Sequence, residues 1–407
     1  MSETKKIYGI DLGTTYSAIA FVNELGKPEI IPNSDNDRIT ASVVFYDENQ
    51  KVVVGDNAKQ LGSMDADRVV ACVKRQIPSP HWVFTIDDTS YKPEEISASI
   101  LRRLAGDANA KTNCSHDVKD VVITCPAFFN DAERARTRAA GEIAGLNVNA
   151  IIDEPVAAAV YYCLNDKKTK GKNLLVYDLG GGTFDATVVS IDNDGNITTI
   201  CTDGDHQLGG KDWDNRIAKY YVNEFQNRTG SNASPFDDPE EAFKFMNAVE
   251  EDKKTLSTDT DKVRYSTKHN GEKVFVELTR EEFDKQTEDL LEQTFVLTEK
   301  MREEAKKKGI AKIDTFLLVG GSTRMKQVKM EFVKRYGVEP VDFDVDECVA
   351  KGAALYGELL KLKGQVDDNV KDRTQGKDFK SLPSAEQERI LQEAVAEVAE
   401  NNAMPTG

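Results

Sequence analysis

The sequence predicts an α/β fold made of two duplicated units that form lobes around a central cleft. The prediction rests on three features that each occur twice, in the same order along the chain. The first is a strand ending in Asp-Leu-Gly, which begins at Lys6 and again at Leu174. The second is a strand–loop–helix unit, which begins at Val121 and again at Thr315. The third is the element Asp-Glu-x-Val-Ala, which begins at Asp153 and again at Asp346. Because all three repeat in register, duplication of one α/β unit is the leading explanation.

Size and composition agree with two lobes and exclude several classes of function. The chain has 407 residues, more than one core comfortably holds, and its 39% hydrophobic content suffices for sizeable cores. A formal net charge of −17 argues against a nucleic-acid or anionic-membrane partner. No apolar run is long enough to span a bilayer. The cysteines and histidines are scattered, so we predict neither a disulfide framework nor a zinc site, and we expect a cytoplasmic protein.

The segment Leu174–Ser190 contains the clearest chemical pattern. An apolar strand ends at Asp178, the triple glycine Gly180–Gly182 follows, and a second β-prone run begins near Asp185. A turn without side chains can bring backbone N–H groups against a phosphate. Carboxylates beside phosphates usually imply Mg²⁺. The alternative is a tight structural hairpin with two solvated aspartates.

The same pattern occurs near the N-terminus. A strand from Lys6 ends at Asp11, Gly13 follows, and Thr14 and Thr15 stand where the second hairpin has glycines, adding hydroxyl groups to the backbone donors. Two such hairpins on opposite sides of a cleft would hold a polyphosphate and its Mg²⁺ from both sides. Phosphoryl transfer requires this arrangement.

The remaining elements of the first half follow from local patterns. Pro93 with two acids predicts a helix start, Asn130 is a plausible N-cap, and Pro155 fits a first helical turn. We predict strands at 43–46, 51–54, 118–124 and 149–152, a helical or compact segment at 65–74, and helices at 93–104, 130–144 and from 154.

The second half is longer, and its extra length is helical. We predict a helix from the Gly-rich 206–214 segment to Arg228, two further helices flanking a strand pair with its turn at 269–271, the last helix running over 279–308, a strand at 315–319, and a small-residue helix over 346–360.

The polar, Lys-rich span 165–172 predicts the boundary between the lobes. We assign residues 1–167 to lobe I and 168–363 to lobe II, with outer subdomains at about 39–115 and 209–310. Residues 364–407 are predicted to form a polar linker and one amphipathic helix, and no peptide-binding domain. The apolar stripe of this helix comprises Leu391, Ala394, Val395 and Val398. We expect it to pack on the body, with dimerisation or fraying as alternatives.

Five motifs in order resemble the actin-like ATPase superfamily and, within it, the ATPase domain of the seventy-kilodalton heat-shock (DnaK-like) chaperones. They are Ile10–Ser17, Pro126–Asp131, Asp178–Asp185, Leu208–Asp212 and Val319–Arg324, and the resemblance covers about residues 5–363. It implies a duplicated, ribonuclease H-like fold that hydrolyses ATP to ADP with Mg²⁺ in the interlobe cleft, with K⁺ as a further candidate ion. Against the family pattern, the outer subdomain of lobe I is shortened.

The resemblance implies roles at the phosphate end of the nucleotide. Thr14, Thr15 and the amides of Gly181, Gly182 and Thr183 would hold the β- and γ-phosphates, with Gly13, Tyr16, Gly180, Gly209 and Gly210 also in the nucleotide site. Asp11 and Asp178 would bind Mg²⁺ through water. Lys74 would face the γ-phosphate and the attacking water, with Glu154, Asp185 and Thr183 near that water. From the residues alone, Lys74 equally suits a helix end on the surface, and Glu154 a first-turn acid favoured by the helix dipole.

At the other end, the resemblance implies an adenosine pocket made of Glu250, Lys253, Ser257, Gly320, Gly321, Ser322, Arg324 and Asp346. Lys254 stands where the family usually has arginine. Because lysine stacks on adenine less well than arginine does, this departure bears on nucleotide affinity.

The expected partners also come from the resemblance. They are a J-domain co-chaperone and a nucleotide-exchange factor, with unfolded polypeptides as clients only if a substrate-binding domain follows. We expect a monomer that binds neither nucleic acid nor membranes. The alternative function is a sugar or carboxylate kinase of the same superfamily. A P-loop enzyme is excluded because Gly-x₄-Gly-Lys-Ser/Thr does not occur.

Overall fold

Strands and helices alternate along both halves of the chain in a computed structural model that describes residues 6–111, 118–269, 272–374 and 378–402. The first half contains β1 (Ile7–Asp11), β2 (Tyr16–Val22), β3 (Pro28–Ile30), β4 (Thr40–Ala41), β5 (Val43–Tyr46), β6 (Val52–Val54), α1 (Asp56–Gly62), β7 (Val69–Ala71), β8 (Phe84–Ile86), β9 (Thr89–Tyr91), α2 (Pro93–Lys111), β10 (Asp120–Cys125), α3 (Asp131–Ile143), β11 (Asn147–Asp153) and α4 (Glu154–Asn165). The second half contains β12 (Asn173–Leu179), β13 (Phe184–Ile191), β14 (Ile197–Asp205), α5 (Gly210–Thr229), α6 (Pro239–Leu256), β15 (Lys262–His269), β16 (Glu272–Thr279), α7 (Arg280–Gln286), α8 (Glu288–Lys307), β17 (Thr315–Val319), α9 (Lys326–Tyr336), β18 (Val341–Asp342), α10 (Cys348–Thr374) and α11 (Ser384–Asn402).

Two sheets with the same strand order form the centre of the molecule. The first runs β3-β2-β1-β10-β11, with β4 also pairing with β2, and the second runs β14-β13-β12-β17-β18. In both, the opening hairpin is antiparallel and the later strands add in parallel. Matching order and direction in every position confirm the predicted duplicated α/β fold.

The two sheets are joined through α4 and α10, the helices that follow the repeated Asp-Glu-x-Val-Ala element. Their small residues allow an approach that larger side chains would prevent, since a Cβ at Gly352 would lie 1.8 Å from the carbonyl oxygen of Ala157. Apolar residues of both sheets pack around this helix pair, among them Val122 of β10 and Val176 of β12. The duplicated element therefore makes a close helix–helix contact between the two halves of the chain.

Each lobe has its own apolar core beneath an outer layer. In the second lobe, Tyr177, Trp213, Phe295 and Phe332 are fully buried in one cluster, and burying each such side chain stabilises the fold by about 1.5–3 kcal/mol. The outer layer of the first half holds the three-stranded sheet β6-β5-β7 and the hairpin β8–β9, and that of the second half holds the hairpin β15–β16. The predicted turn at 269–271 includes residues outside the described ranges.

Several elements differ from their sequence prediction, among them α2, which runs to Lys111 and not to residue 104. Segment 65–74 forms a single turn, the strand β7 and a second turn at Val73–Gln76. The predicted helix over 279–308 is two helices, because Thr287 interrupts it. The helix α10 extends through Thr374 and packs against β1, so 364–374 is helix and not linker. Gly364 costs this helix about 1 kcal/mol, a small penalty against the packing of α10 on α11.

The C-terminal helix packs on the body, as expected, but its buried stripe is shifted. Ile390, Ala394 and Val398 are buried, whereas Leu391 and Val395 are about half exposed. Arg373 of α10 forms an ion pair with Glu393 of α11 at 2.7 Å. Within the described ranges, no helix combines the length and apolar character needed to cross a bilayer.

Candidate functional site

The turns of the two central hairpins meet across the cleft. A Cβ built at Gly181 would lie 2.2 Å from Oγ1 of Thr15, and one at Gly182 would lie 2.3 Å from Cγ2 of Thr14. Gly181 and Gly182 of one turn thus each face a threonine of the other. Any larger residue at 181 or 182 would push the two turns apart.

Side chains and strand ends hold these turns in shape. The amide of Gly13 donates to Oγ of Ser17 at 3.1 Å, and Oγ of Ser42 donates to the Gly13 carbonyl at 2.9 Å. The amide of Gly180 donates to the Thr183 carbonyl at 3.1 Å. The amides at 14, 15, 181 and 182 make no hydrogen bond to another described residue, and they remain available as donors to an anion.

Asp11 is the last residue of β1 and Asp178 the last but one of the equivalent strand β12, and both lie beside the turns. Burial and the neighbouring Glu154 charge raise the pKa of Asp11 to about 7. Burial, followed by the charges of Glu154, Asp185 and Asp11, raises the pKa of Asp178 well above its usual range. Carboxylates that repel one another in a buried site are stabilised by a cation.

These carboxylates fit a hydrated Mg²⁺ better than a fully protein-coordinated metal. In the part of the chain that the structure describes, no three His, Cys, Asp or Glu side chains are placed to coordinate one ion. Mg²⁺ commonly keeps several waters and binds through one or two carboxylates plus phosphate oxygens. Asp11 and Asp178 would supply that carboxylate side.

Lys74 and Glu154 form a buried ion pair at the base of the cleft. Nζ of Lys74 lies 2.6 Å from Oε1 of Glu154, and the residues are 6% and 7% exposed. Burial alone would lower the pKa of Lys74, but the charges of Glu154 and Asp11 outweigh it and raise the pKa. The structure therefore excludes the surface position for Lys74.

A charged cluster closes the cleft at its outer end. Glu250 of α6 pairs with Lys59 of α1 at 2.7 Å and with Lys254 at 3.0 Å. Burial opposes ionisation of Glu250, but Lys59 and Lys254 together lower its pKa to about 2. Nζ of Lys254 also donates to the hydroxyl of Tyr16 at 2.9 Å. This cluster joins the two lobes.

A second buried ion pair, between Lys253 of α6 and Asp214 of α5, lies near the start of α5. Nζ of Lys253 lies 2.7 Å from Oδ1 of Asp214 and donates to the Gly210 carbonyl at 2.7 Å. Nearby, Arg324 pairs with Asp346 at 2.5 Å. The first contacts join α6 to α5, and the second joins the loop after β17 to the segment before α10.

The residues surround a cavity of about 460 Å³, a volume typical of sites for small ligands. Most of the predicted site residues line it, namely Asp11, Gly13, Thr14, Thr15, Tyr16, Lys74, Glu154, Asp178, Gly180, Gly181, Thr183, Glu250, Lys253, Lys254, Ser257, Gly320, Gly321, Ser322, Arg324 and Asp346. The cavity has carboxylates and unpaired amides at its inner end and a mixed polar and apolar wall at its outer end.

Comparison with known protein families agrees with this geometry. Residues 7–374 match the family model described as Hsp70 protein. The chain belongs to the Hsp70 family. It is 40% identical to the chaperone protein DnaK of Halobacterium salinarum over 375 residues, covering 90% of this chain and 57% of the relative. It is also 40% identical to DnaK of Thermotoga neapolitana and of Thermosipho melanesiensis, with 88% of this chain and 60% of each relative covered. The chain thus spans somewhat over half the length of these relatives.

Four predicted residues of this Hsp70 chain are not among those that line the cavity: Asp185, Gly182, Gly209 and Gly210. Asp185 accepts from the Ala127 amide at 2.8 Å and from Oγ1 of Thr187 at 2.5 Å. Burial raises the pKa of Asp185 to about 7, although these two hydrogen bonds oppose the shift. The carboxylate therefore connects the two lobes through Ala127.

Sequence reasoning missed several residues of the candidate site. Lys211 and Asp214 line the cavity from the first turn of α5, and an apolar group lines its outer wall: Ile39, Met325, Val345 and Val349. Arg75 donates to the Gly182 carbonyl at 2.7 Å and pairs with Asp212 at 2.5 Å. Lys211 and Asp212 belong to the motif Leu208–Asp212, and Arg75 directly follows the predicted site residue Lys74. Their closeness in sequence to predicted site residues could have indicated that they belong to the site.

Proposed function

We propose that this chain binds Mg-ATP in the interlobe cleft and hydrolyses it to ADP and phosphate. The observation that carries the proposal is the pairing of two equivalent turns, each with a carboxylate at its strand end, around one cavity. Neither turn alone could enclose a polyphosphate. Together they offer amides and threonine hydroxyls from opposite sides, as phosphoryl transfer requires.

In this proposal the residues have separate tasks. Thr14, Thr15 and the amides of Gly181–Thr183 bind the β- and γ-phosphates, and Asp11 and Asp178 hold hydrated Mg²⁺. When bound, Mg²⁺ neutralises charge on the phosphate oxygens. Glu154 orients the attacking water and accepts its proton on the carboxylate.

Lys74 stabilises negative charge on the transferred phosphoryl group. The adenosine portion lies toward Glu250, Lys253 and Ser257 on one side and Arg324 and Asp346 on the other. The glycine-rich loop at Gly320–Ser322 offers polar groups to the ribose, and the apolar side chains of the outer wall suit the base. K⁺ is proposed as a further ion, without an assigned residue.

The nucleotide state is proposed to set the opening of the lobes. Ligand contacts to both turns favour closure, and loss of the γ-phosphate removes part of them. As a DnaK-like chaperone domain, the chain would report this state to a J-domain co-chaperone, a nucleotide-exchange factor and, where a substrate-binding domain follows, unfolded clients. The lobe boundaries, the monomeric state and the cytoplasmic location stay predictions.

Phosphate release from ATP, measured with and without a panel of sugars and carboxylates, tests the proposal. Release that needs Mg²⁺ and no added acceptor supports the ATPase. Nucleotide consumption that depends on a sugar or carboxylate, with a phosphorylated product, would replace it by the kinase. Lack of detectable ATP binding by calorimetry would refute both.

A further inference from the structure

The first turn of α5 places a lysine against the second hairpin turn. The amide of Gly210 donates to the Gly180 carbonyl at 3.0 Å, and the amide of Lys211 donates to the Gly181 carbonyl at 2.8 Å. The backbone of Lys211 is thus fixed one hydrogen bond away from the turn that faces Thr15. The resemblance gave this residue no role.

The side chain of Lys211 lies where two cavities meet. It lines the central cavity and also a second one of about 440 Å³ between the outer layers of the two lobes. Thr14, Thr15, Tyr16 and Glu250 line both cavities as well. Lys211 therefore stands beside the threonine turn, between the two cavities.

Lys211 differs from every other cation of the central cavity in how it is paired. The four others each have a carboxylate oxygen within 3.0 Å: Lys74 with Glu154 at 2.6 Å, Lys253 with Asp214 at 2.7 Å, Lys254 with Glu251 at 2.8 Å and Arg324 with Asp346 at 2.5 Å. The nearest carboxylate to the Lys211 ammonium among the described residues is Oδ2 of Asp214, at 3.8 Å.

Asp214 cannot hold Lys211 closely because it is already neutralised. Its other oxygen, Oδ1, forms an ion pair with the buried ammonium of Lys253 at 2.7 Å. The Lys211 ammonium makes no hydrogen bond to another described residue, and its side chain is 26% exposed. A flexible lysine with a weak carboxylate contact can move toward a stronger anion at small cost.

We propose that Lys211 binds the terminal phosphates of the nucleotide and thereby selects nucleoside triphosphates over diphosphates and adenosine. The inference rests on the proposed nucleotide site and adds a phosphate-binding residue to it. On ATP binding the ammonium leaves Asp214 for a phosphate oxygen, and Lys253 continues to neutralise Asp214. Charge-assisted hydrogen bonds to phosphate are roughly twice as strong as neutral ones.

Calorimetry with ATP, ADP and adenosine in the presence of Mg²⁺ tests the inference on Lys211→Gln and Lys211→Arg. We expect Lys211→Gln to weaken ATP binding about tenfold, ADP binding less and adenosine binding less than about twofold, with Lys211→Arg recovering most of the ATP affinity. Lys219→Gln, an exposed lysine of the same helix, is the matched control and should leave all three affinities unchanged.

Two outcomes would overturn the inference. One is an unchanged ratio of ATP to adenosine affinity in Lys211→Gln. The other is an equal loss for all three ligands, which would indicate a distorted helix α5. Failure of the wild-type chain to bind ATP would instead refute the proposed function, so the two failures are distinguishable.

Discussion

The ammonium of Lys74 lies 2.6 Å from Oε1 of Glu154, and both side chains are buried between the two lobes. Lys74 comes from the turn after β7 and Glu154 from the first residue of α4. In the proposed mechanism the pair holds Glu154 beside the attacking water and directs Lys74 toward the phosphoryl group.

We expect Lys74→Ala to lower the rate of ATP hydrolysis at least about a hundredfold while ATP affinity changes less than about threefold. Removing a cation that acts on the transition state affects the chemical step more than binding. Single-turnover phosphate release and calorimetry measure the two quantities. Wild-type turnover in this variant would remove Lys74 from the catalytic set.

The same variant should also be less stable without nucleotide. Breaking a buried pair leaves Glu154 as an uncompensated charge, with a cost on the order of 3 kcal/mol. Denaturant unfolding of Lys74→Ala, Glu154→Gln and the double variant measures the coupling. We expect Lys74→Ala combined with Glu154→Gln to cost clearly less than the sum of the two single losses; additive losses would show that the two side chains are not energetically coupled.

Binding of Mg²⁺ should weaken at acidic pH because it competes with protons on Asp11. The pKa of this carboxyl is raised to about 7 without a cation, so it is increasingly protonated below pH 7. We expect the Mg²⁺ concentration that half-saturates ATP binding to rise about fivefold or more from pH 8 to pH 6. A pH-independent titration would contradict the role of Asp11.

Replacement of Asp11 should change stability in a direction that depends on the cation. A carboxyl whose folded pKa lies above its unfolded value loses stability as pH rises from about 4 to 7. At pH 8 without Mg²⁺, Asp11→Asn should therefore be more stable than wild type, by on the order of 1 kcal/mol. Asp367→Asn, an exposed change on α10, is the control. A lower thermal midpoint in Asp11→Asn would contradict the repulsion among these carboxylates.

Arg75 should hold the lobes together around the phosphate turn. It is the residue from lobe I that donates to the Gly182 carbonyl, at 2.7 Å, and it pairs with Asp212. We expect Arg75→Ala to speed release of a fluorescent ADP analogue about tenfold. Arg75→Lys should retain one of the two contacts, so its release rate should lie between those of wild type and Arg75→Ala. Equal release rates in wild type and both variants would show that Arg75 does not hold the lobes together around the nucleotide.

Lys254 should limit nucleotide affinity. Its ammonium lies 5.2 Å from the centre of the Tyr16 ring and forms ion pairs with Glu250 and Glu251. A planar guanidinium can keep such pairs and also stack on adenine. We expect Lys254→Arg to tighten adenosine and ATP binding alike, by about three- to tenfold; unchanged adenosine affinity would separate Lys254 from the base.

Local sequence was enough for the elements whose pattern and packing agree. Asn130 caps α3 with Glu133, each side chain bonding the other's amide, as the local residues predict. The glycine and threonine turns were predicted because their backbone chemistry is local. By contrast, α10 was predicted too short, since its last turns are stabilised by α11, about 20 residues further along the chain.

Taken by itself, the sequence determined the duplicated α/β fold and the carboxylates at the strand ends, because each depends on a local pattern that occurs twice. Most of the other residues around the cavity were predicted only through the resemblance of five motifs to a known family. Only the tertiary structure decided how charges are paired across the cleft. It joined Lys74 to Glu154, gave Asp214 to Lys253 and left Lys211 with its nearest described carboxylate at 3.8 Å. Electrostatic pairing depends on distances between residues far apart in the chain, and sequence spacing does not contain those distances.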